Sequence, residues 1–128
     1  MNILLDTHTF LWFVDSDRRL SRRALEVMSN PDNELFLSVA SAWEIVIKCG
    51  TGALKLAIEP ERFIAEQLKI NAITPLPIAL EHVLAVARLP RHHRDPFDRV
   101  IIAQAKTEEL PIITSDRQIR EYSIETIW

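Results

Sequence analysis

The chain has 128 residues, 48% hydrophobic and 26% charged, a composition typical of one compact soluble domain. Its single cysteine, Cys49, excludes an internal disulfide framework, and 15 basic against 18 acidic residues give a net charge of −3, which excludes a uniformly basic surface. The longest apolar run, residues 10–14, is far shorter than the roughly 20 residues that cross a membrane. We expect a single domain over residues 1–128, no membrane span and, since no signal peptide is evident, a cytoplasmic location.

Short apolar runs alternate with segments of helical periodicity along the whole chain. The runs that predict buried strands are residues 3–5, 35–37, 73–76, 111–114 and 124–128. Strands that alternate with helices form a parallel sheet through right-handed crossovers. The sequence therefore predicts an α/β fold with a central, mostly parallel sheet covered by helices on both faces.

Three helices are placed by apolar spacing and by proline. One has Pro60 near its first turn and an apolar face of Phe63, Ile64 and Leu68. The next carries an i, i+3, i+4, i+7 stripe that we expect to face the sheet, formed by Leu80, Val83, Leu84 and Ala87. The third runs over about 97–110 and is ended by Pro111.

Four acidic residues occupy equivalent positions in this pattern. Asp6 follows the first strand, Glu44 lies in the first turn of the helix after the second, Asp98 opens the third of the helices above, and Asp116 follows the strand at 112–114. In open α/β sheets the ligand site lies beyond the carboxyl ends of the strands. We therefore expect these four carboxylates to converge at one edge.

Carboxylates that converge without partners repel one another unless a cation lies among them. Ligands that are all oxygen indicate Mg²⁺ or Mn²⁺, and the absence of a His or Cys ligand cluster argues against zinc. Such an ion promotes in-line displacement at phosphorus, which is nuclease chemistry. In this hypothesis Asp6 and Asp98 bind the metal directly, while Glu44 and Asp116 orient water or hold a second ion.

Three of the acids also have local structural interpretations. Ser41 and Glu44 have the spacing of a capping box. Asp95 is expected to be the N-cap of the helix that Pro96 starts, where the helix dipole would favour Asp98 without any metal. Asp116 is placed to cap a turn. Asp6 alone has no evident backbone task.

Eleven of the 15 basic residues are arginine, and eight of these lie in two clusters at 18–23 and 88–99. The planar guanidinium suits phosphate. Arg94 and Arg99 flank the acidic pair and are the favoured nucleic-acid contacts, with Thr114 and Ser115 as further candidates. His92 and His93 are expected to be exposed rather than ligands. The tryptophans at 12, 43 and 128 are expected in the core or a subunit interface.

Four motifs together resemble the PIN-domain family, and more closely its VapC-type toxins. They are Leu5-Asp6-Thr7-His8, the stretch from Ser38 to Glu44, the block His93-Arg94-Asp95-Pro96-Phe97-Asp98-Arg99, and Ile113-Thr114-Ser115-Asp116. The resemblance extends from the first strand to the last. It implies a Mg²⁺- or Mn²⁺-dependent endoribonuclease whose catalytic and metal-binding acids are Asp6, Glu44, Asp98 and Asp116, an antitoxin that blocks the site, and a homodimer.

Other functions fit parts of the pattern. A catalytically silent module that binds RNA or protein would keep the fold, but it would not need all four acids. A haloacid-dehalogenase phosphatase also begins with a strand that ends in aspartate, yet it needs a second acid where this chain has His8. A phospho-receiver domain shares the acidic pocket, and a phosphodonor would label it without any RNA being cut.

Overall fold

The computed structural model describes all residues from Met1 to Trp128. The strands are β1 (Asn2–Leu5), β2 (Glu34–Ser38), β3 (Ile73–Leu76), β4 (Ile112–Ile113) and β5 (Thr126–Ile127). The helices are α1 (Thr7–Val14), α2 (Arg22–Ser29), α3 (Val39–Thr51), α4 (Pro60–Ile70), α5 (Leu80–Val86), α6 (Pro96–Glu108) and α7 (Arg117–Arg120). All five predicted strands and the three placed helices are present. None of the helices is long and apolar enough to cross a membrane.

The strands form one parallel sheet in the order β3-β2-β1-β4-β5. In the register of the sheet, Leu5 of β1 lies beside Leu37 of β2 and Ile113 of β4. These three central strands therefore end level with one another. The residues that follow them share one edge, as the sequence predicts.

Two apolar cores cover the two faces of the sheet, because successive side chains of a strand point to opposite sides. Ile3 and Leu5 belong to a core with residues of α1 to α4, whereas Leu4 belongs to a core with residues of α5, α6 and α7. Helix α3 contributes to both, through Ile45 to the first and Ala40 to the second. The predicted architecture, a parallel sheet with helices on both faces, is confirmed.

The predicted orientation of α5 is wrong. Leu80, Val83 and Leu84 are 72%, 49% and 57% exposed, and Ala87 is exposed as well. The buried residues of the helix are His82 and Ala85. His82 accepts from the backbone N–H of Ala79 through Nδ1 and contacts Glu108 of α6 through Nε2, at 2.9 and 3.0 Å. Only the contact with Glu108 reaches another helix, and it lies on the buried side of α5, so the apolar stripe lies on the side that faces solvent.

Helix α3 starts earlier than predicted. Its N-cap is Ser38, whose side-chain oxygen accepts from the Ala40 N–H at 3.0 Å, so Ser41 lies within the helix. The capping box expected of Ser41 and Glu44 is therefore wrong, and Glu44 lies in the second turn. The predicted start of α6 is confirmed, since Asp95 caps the helix and Pro96 is its first residue.

Candidate active site

Asp6 is buried at the end of β1, at the N-cap position of α1. Its side chain makes no capping bond to that helix. Instead, Oδ2 accepts a hydrogen bond from the hydroxyl of Thr114, at 2.7 Å. Burial raises the pKa of the Asp6 carboxyl, and the bond from Thr114 opposes that rise. Asp6 thus has the position expected of it, with a carboxylate oriented from the neighbouring strand end.

Glu44 is 3% exposed, and both of its carboxylate oxygens have a partner. Oε1 accepts from the Thr7 hydroxyl at 2.8 Å, and Oε2 forms an ion pair with Nζ of Lys48, also at 2.8 Å. Thr7 in turn contacts the hydroxyl of Ser41. The hydrogen bond with Glu44 raises the pKa of Lys48. Glu44 is therefore held in place by its neighbours and does not cap the helix.

Thr7 and Lys48 were not among the predicted site residues. Lys48 follows Glu44 by four residues, a spacing that places side chains together on a helix and would have indicated the pair. Thr7 gives no comparable signal, because its contact with Glu44 joins two segments that are distant in the sequence.

Asp98 and Asp95 have different roles at the start of α6. Asp95 Oδ1 accepts from the backbone N–H groups of Phe97 and Asp98, at 2.9 and 3.2 Å. The Asp98 side chain is 14% exposed and makes no capping bond. Its pKa is raised to about 8, first because it is buried and then because Asp95, Asp6, Glu44 and Asp116 place negative charge around it.

Asp116 makes the predicted capping bond and also lies near the other acids. Its Oδ1 accepts from the Gln118 N–H at 2.8 Å and so caps α7. Its charge also raises the pKa values of Asp6 and Asp98. The structural interpretation is correct for this residue, and it does not remove Asp116 from the acidic edge.

Asp6, Glu44 and Asp116 lie near enough to Asp98 for their charges to add to the effect of burial in raising its pKa. No three of them have oxygens that all lie within 4.8 Å of one another. Carboxylates that are buried together, without enough cations to balance them, fit a hard divalent ion, which relieves both the repulsion and the cost of burial. The donor set therefore fits Mg²⁺ or Mn²⁺.

A second cluster does bring three potential ligands within 4.8 Å, formed by Glu81, His82 and Glu108. Its histidine is already used, since Nδ1 accepts from Ala79 and Nε2 contacts Glu108. Neither ring nitrogen is left for a cation. This cluster therefore joins α5 to α6 and does not resemble a metal centre.

A basic cavity of about 520 Å³ adjoins the acidic edge through His93. Its charged and titratable lining residues are Arg91, His92, His93, Arg94 and Arg99. Arg99 donates to the carbonyl oxygens of Pro90, Val86 and Leu89, so its guanidinium is used to hold the loop. Among the arginines of this cavity, Arg91 and Arg94 are the exposed ones.

Three other expectations change with the structure. Thr114 is fully buried and donates to Asp6, so it is not available to RNA, whereas Ser115 is half-buried. The His93 side chain is only 5% exposed, because it packs between Tyr122 and Asp98. Trp43 is 58% exposed and packs edge-to-face on Phe97, so it lies outside the core.

Comparison with known proteins gives a consistent result. The sequence profile of the PIN domain matches residues 3–125. Ribonuclease VapC22 of Mycobacterium tuberculosis is 30% identical over 123 residues, which cover 94% of this chain and 91% of that protein.

Solved structures share the fold at low sequence identity. VapBC2 of Rickettsia felis, bound to a promoter DNA fragment, is 12% identical with a TM-score of 0.69 and covers 99% of this chain and 98% of its own. FitAcB of Neisseria gonorrhoeae is 17% identical with a TM-score of 0.66 and covers 100% and 97%. VapBC-5 of Mycobacterium tuberculosis is 22% identical with a TM-score of 0.61 and covers 98% and 97%.

Proposed function

The chain belongs to the PIN-domain family, and we propose that it is a VapC-type endoribonuclease, the toxin of a toxin–antitoxin pair, which cleaves RNA with Mg²⁺ or Mn²⁺. The observation that carries this proposal is the charge around Asp98. Burial raises the pKa of Asp98 first, and the charges of Asp95, Asp6, Glu44 and Asp116 raise it further, while the sheet register brings the strand ends that precede Asp6 and Asp116 to the same edge. A cluster of acids with no competing catalytic constellation favours a metal nuclease.

The acids divide into two groups by their existing partners. Asp6 and Asp98 are the proposed direct ligands, because neither caps a helix. Glu44 and Asp116 are proposed to orient water or to hold a second ion, since Glu44 is bonded at both oxygens and Asp116 caps α7. When bound, the cation supplies charge that polarises a phosphoryl oxygen and stabilises the leaving oxygen.

Three neighbouring side chains orient two of these carboxylates. The Thr114 hydroxyl orients Asp6, while Thr7 and Lys48 orient Glu44. Each contact reaches its acid from a different position in the chain, and burial excludes bulk water from Asp6 and Glu44. A carboxylate held this way needs little reorganisation when substrate binds.

The proposed substrate is RNA, bound through its phosphates beside the acids. Arg91 and Arg94 carry this role better than the predicted Arg99, because both are exposed in the basic cavity, whereas the Arg99 guanidinium, which also lines it, is bonded to carbonyl groups. Ser115 stays a candidate contact.

The similar solved structures include toxin–antitoxin complexes. We propose that this chain likewise has a cognate antitoxin, a segment of which covers the acidic edge. We also propose that the chain forms a homodimer.

Cleavage of labelled single-stranded RNA tests the enzymatic part. The wild type should cleave with Mg²⁺ or Mn²⁺ and stop when EDTA is added, and Asp98→Asn should be inactive while remaining folded. Activity that survives thorough chelation would exclude the metal mechanism. No cleavage by a folded wild type with either ion, over a range of RNA sequences, would favour the silent module.

Growth of a host that expresses the chain alone tests the toxin part. The wild type should arrest growth, and Asp6→Asn at equal soluble levels should not. If both variants are equally harmless, the toxin assignment is wrong even when purified protein cuts RNA.

A further inference from the structure

His93 is a buried histidine to which the proposed function gives no task. Its Nδ1 lies 2.9 Å from Oη of Tyr122, and its Nε2 lies 3.4 Å from Oδ2 of Asp98. Tyr122 is 2% exposed, and Nη1 of Arg99 lies 3.1 Å from its hydroxyl. Arg99, Tyr122, His93 and Asp98 thus form a continuous hydrogen-bonded chain that ends at a proposed metal ligand.

The hydrogen-bonding capacity of each group fits one direction along this chain. Arginine only donates, so the Tyr122 oxygen accepts from Arg99. The phenolic proton of Tyr122 is then available to Nδ1 of His93, and a neutral ring that accepts at Nδ1 carries its proton on Nε2. A protonated ring carries protons on both nitrogens. In both of these states an N–H group faces Asp98, whereas a neutral ring with its proton on Nδ1 would donate to Tyr122 and leave Nε2 without a proton.

We propose that His93 is a positioning residue that donates from Nε2 to Oδ2 of Asp98 and so presents the other carboxylate oxygen to the divalent cation. The inference rests on the proposed function, because it takes Asp98 as a metal ligand. The 3.4 Å separation is long for a hydrogen bond, as such contacts often are before an active site is fully assembled.

The anchor of the chain is well fixed. Besides Tyr122, the Arg99 guanidinium donates to the carbonyl oxygens of Val86, Leu89 and Pro90. Tyr122 therefore cannot turn away from His93 without losing its contact with a guanidinium that three carbonyls hold. Removal of a residue that hydrogen-bonds to a metal ligand typically lowers metal affinity or activity 10- to 100-fold.

Mn²⁺ affinity, measured by titration calorimetry without RNA, tests the role of His93. His93→Ala should weaken binding about 10- to 100-fold, and His93→Gln, whose side-chain amide keeps an N–H donor, should recover most of that loss. His92→Ala is the matched control. His92 belongs to the same loop and packs its ring on Tyr122, but it contacts Glu121 at 3.6 Å rather than Asp98. Wild-type affinity in His93→Ala, or equal losses in the Ala and Gln variants, would overturn the proposal.

A second measurement does not depend on metal binding. Long-range ¹H–¹⁵N spectra of the metal-free chain at a pH where the ring is neutral should show His93 with its proton on Nε2. Tyr122→Phe should lose that preference and weaken Mn²⁺ binding. A proton on Nδ1 in the wild type would contradict the proposal.

The outcome is distinguishable from failure of the proposed function. A chain that binds Mn²⁺ through Asp98 with the expected ring form, but does not cleave RNA, keeps this inference and loses the nuclease assignment. If Asp98→Asn binds Mn²⁺ as tightly as the wild type does, this inference is overturned, even if the wild type cleaves RNA.

Discussion

Asp95 and Asp98 lie three residues apart, and their carboxylates have different roles. Asp95 caps α6, whereas Asp98 is a proposed metal ligand. Asp95→Asn should stay folded and active, because asparagine caps a helix about as well as aspartate. Asp98→Asn should stay folded with an equal or higher thermal midpoint, because carboxylate repulsion is relieved, and it should lose cleavage. Melting and RNA cleavage, measured side by side, check both variants. An inactive Asp95→Asn with an active Asp98→Asn would reverse the assignments.

The raised pKa of Asp98 predicts a dependence of stability on pH. Its folded pKa is about 8 against 3.8 for an unperturbed aspartate, so between these values the folded state binds more protons than the unfolded state. The free energy of unfolding in EDTA should therefore fall as pH rises from about 4 towards 8 and then level off. The stability advantage of Asp98→Asn over the wild type should grow over that range. An advantage that does not change with pH would contradict the assigned cause.

Individual residues were predictable from sequence where their task depends on neighbours along the chain. The cap at Asp95 follows from Asp95-Pro96, and the lack of a capping bond at Asp6 follows from its place after an apolar strand. His93 and Thr114 were misjudged because their partners, Tyr122 and Asp6, are distant in sequence. Contacts of that kind depend on tertiary packing, which polarity alone does not reveal.

At the scale of the element, helix α5 shows that spacing does not determine which face is buried. The stripe at Leu80, Val83 and Leu84 has ideal helical spacing, yet it faces solvent, and the buried residues are Ala85 and His82, which contacts Glu108 of α6. The helix has only seven residues. In so short a helix, the contact of His82 with Glu108 and the burial of Ala85 decide which face points inward.

The exposed stripe has a direct consequence for stability. Leu84→Gln should change the free energy of unfolding by no more than about 0.5 kcal/mol, as is usual at the surface. Leu89→Ala, at a position 7% exposed just after the helix, should cost roughly 2 to 5 kcal/mol. Chemical denaturation at low protein concentration checks the pair. A larger loss from Leu84→Gln would show that this stripe is covered.

The positions of the strands and the ends of the helices were predicted more accurately than the orientation of α5. Pro60 and Pro96 are the first residues of α4 and α6, as expected of a residue that lacks the N–H group. The start of α3 was misplaced by three residues because Ser38 and Ser41 both suit an N-cap, and only the structure shows that Ser38 is used.

For the whole molecule, a net charge of −3 and a basic cavity beside acidic residues predict RNA binding that is local and sensitive to salt. Affinity of the cleavage-deficient Asp98→Asn for single-stranded RNA should fall steeply with rising salt, because phosphate contacts release counterions. The double variant with Arg91→Gln and Arg94→Gln should bind RNA more weakly, and its affinity should depend less steeply on salt concentration. Arg22→Gln with Arg23→Gln, in exposed positions of α2, is the matched control. Binding that does not weaken between low and physiological salt would contradict the phosphate contacts.

The most direct test of the central claim is the position of a bound Mn²⁺ ion, located by anomalous scattering in crystals of the wild type. The account predicts a peak at the carboxyl edge of the sheet, within ligand distance of the carboxylates of Asp6 and Asp98, and loss of that peak in Asp98→Asn. A peak at Glu81, His82 and Glu108 instead, or none at the acidic edge under Mn²⁺ concentrations that support cleavage, would contradict it.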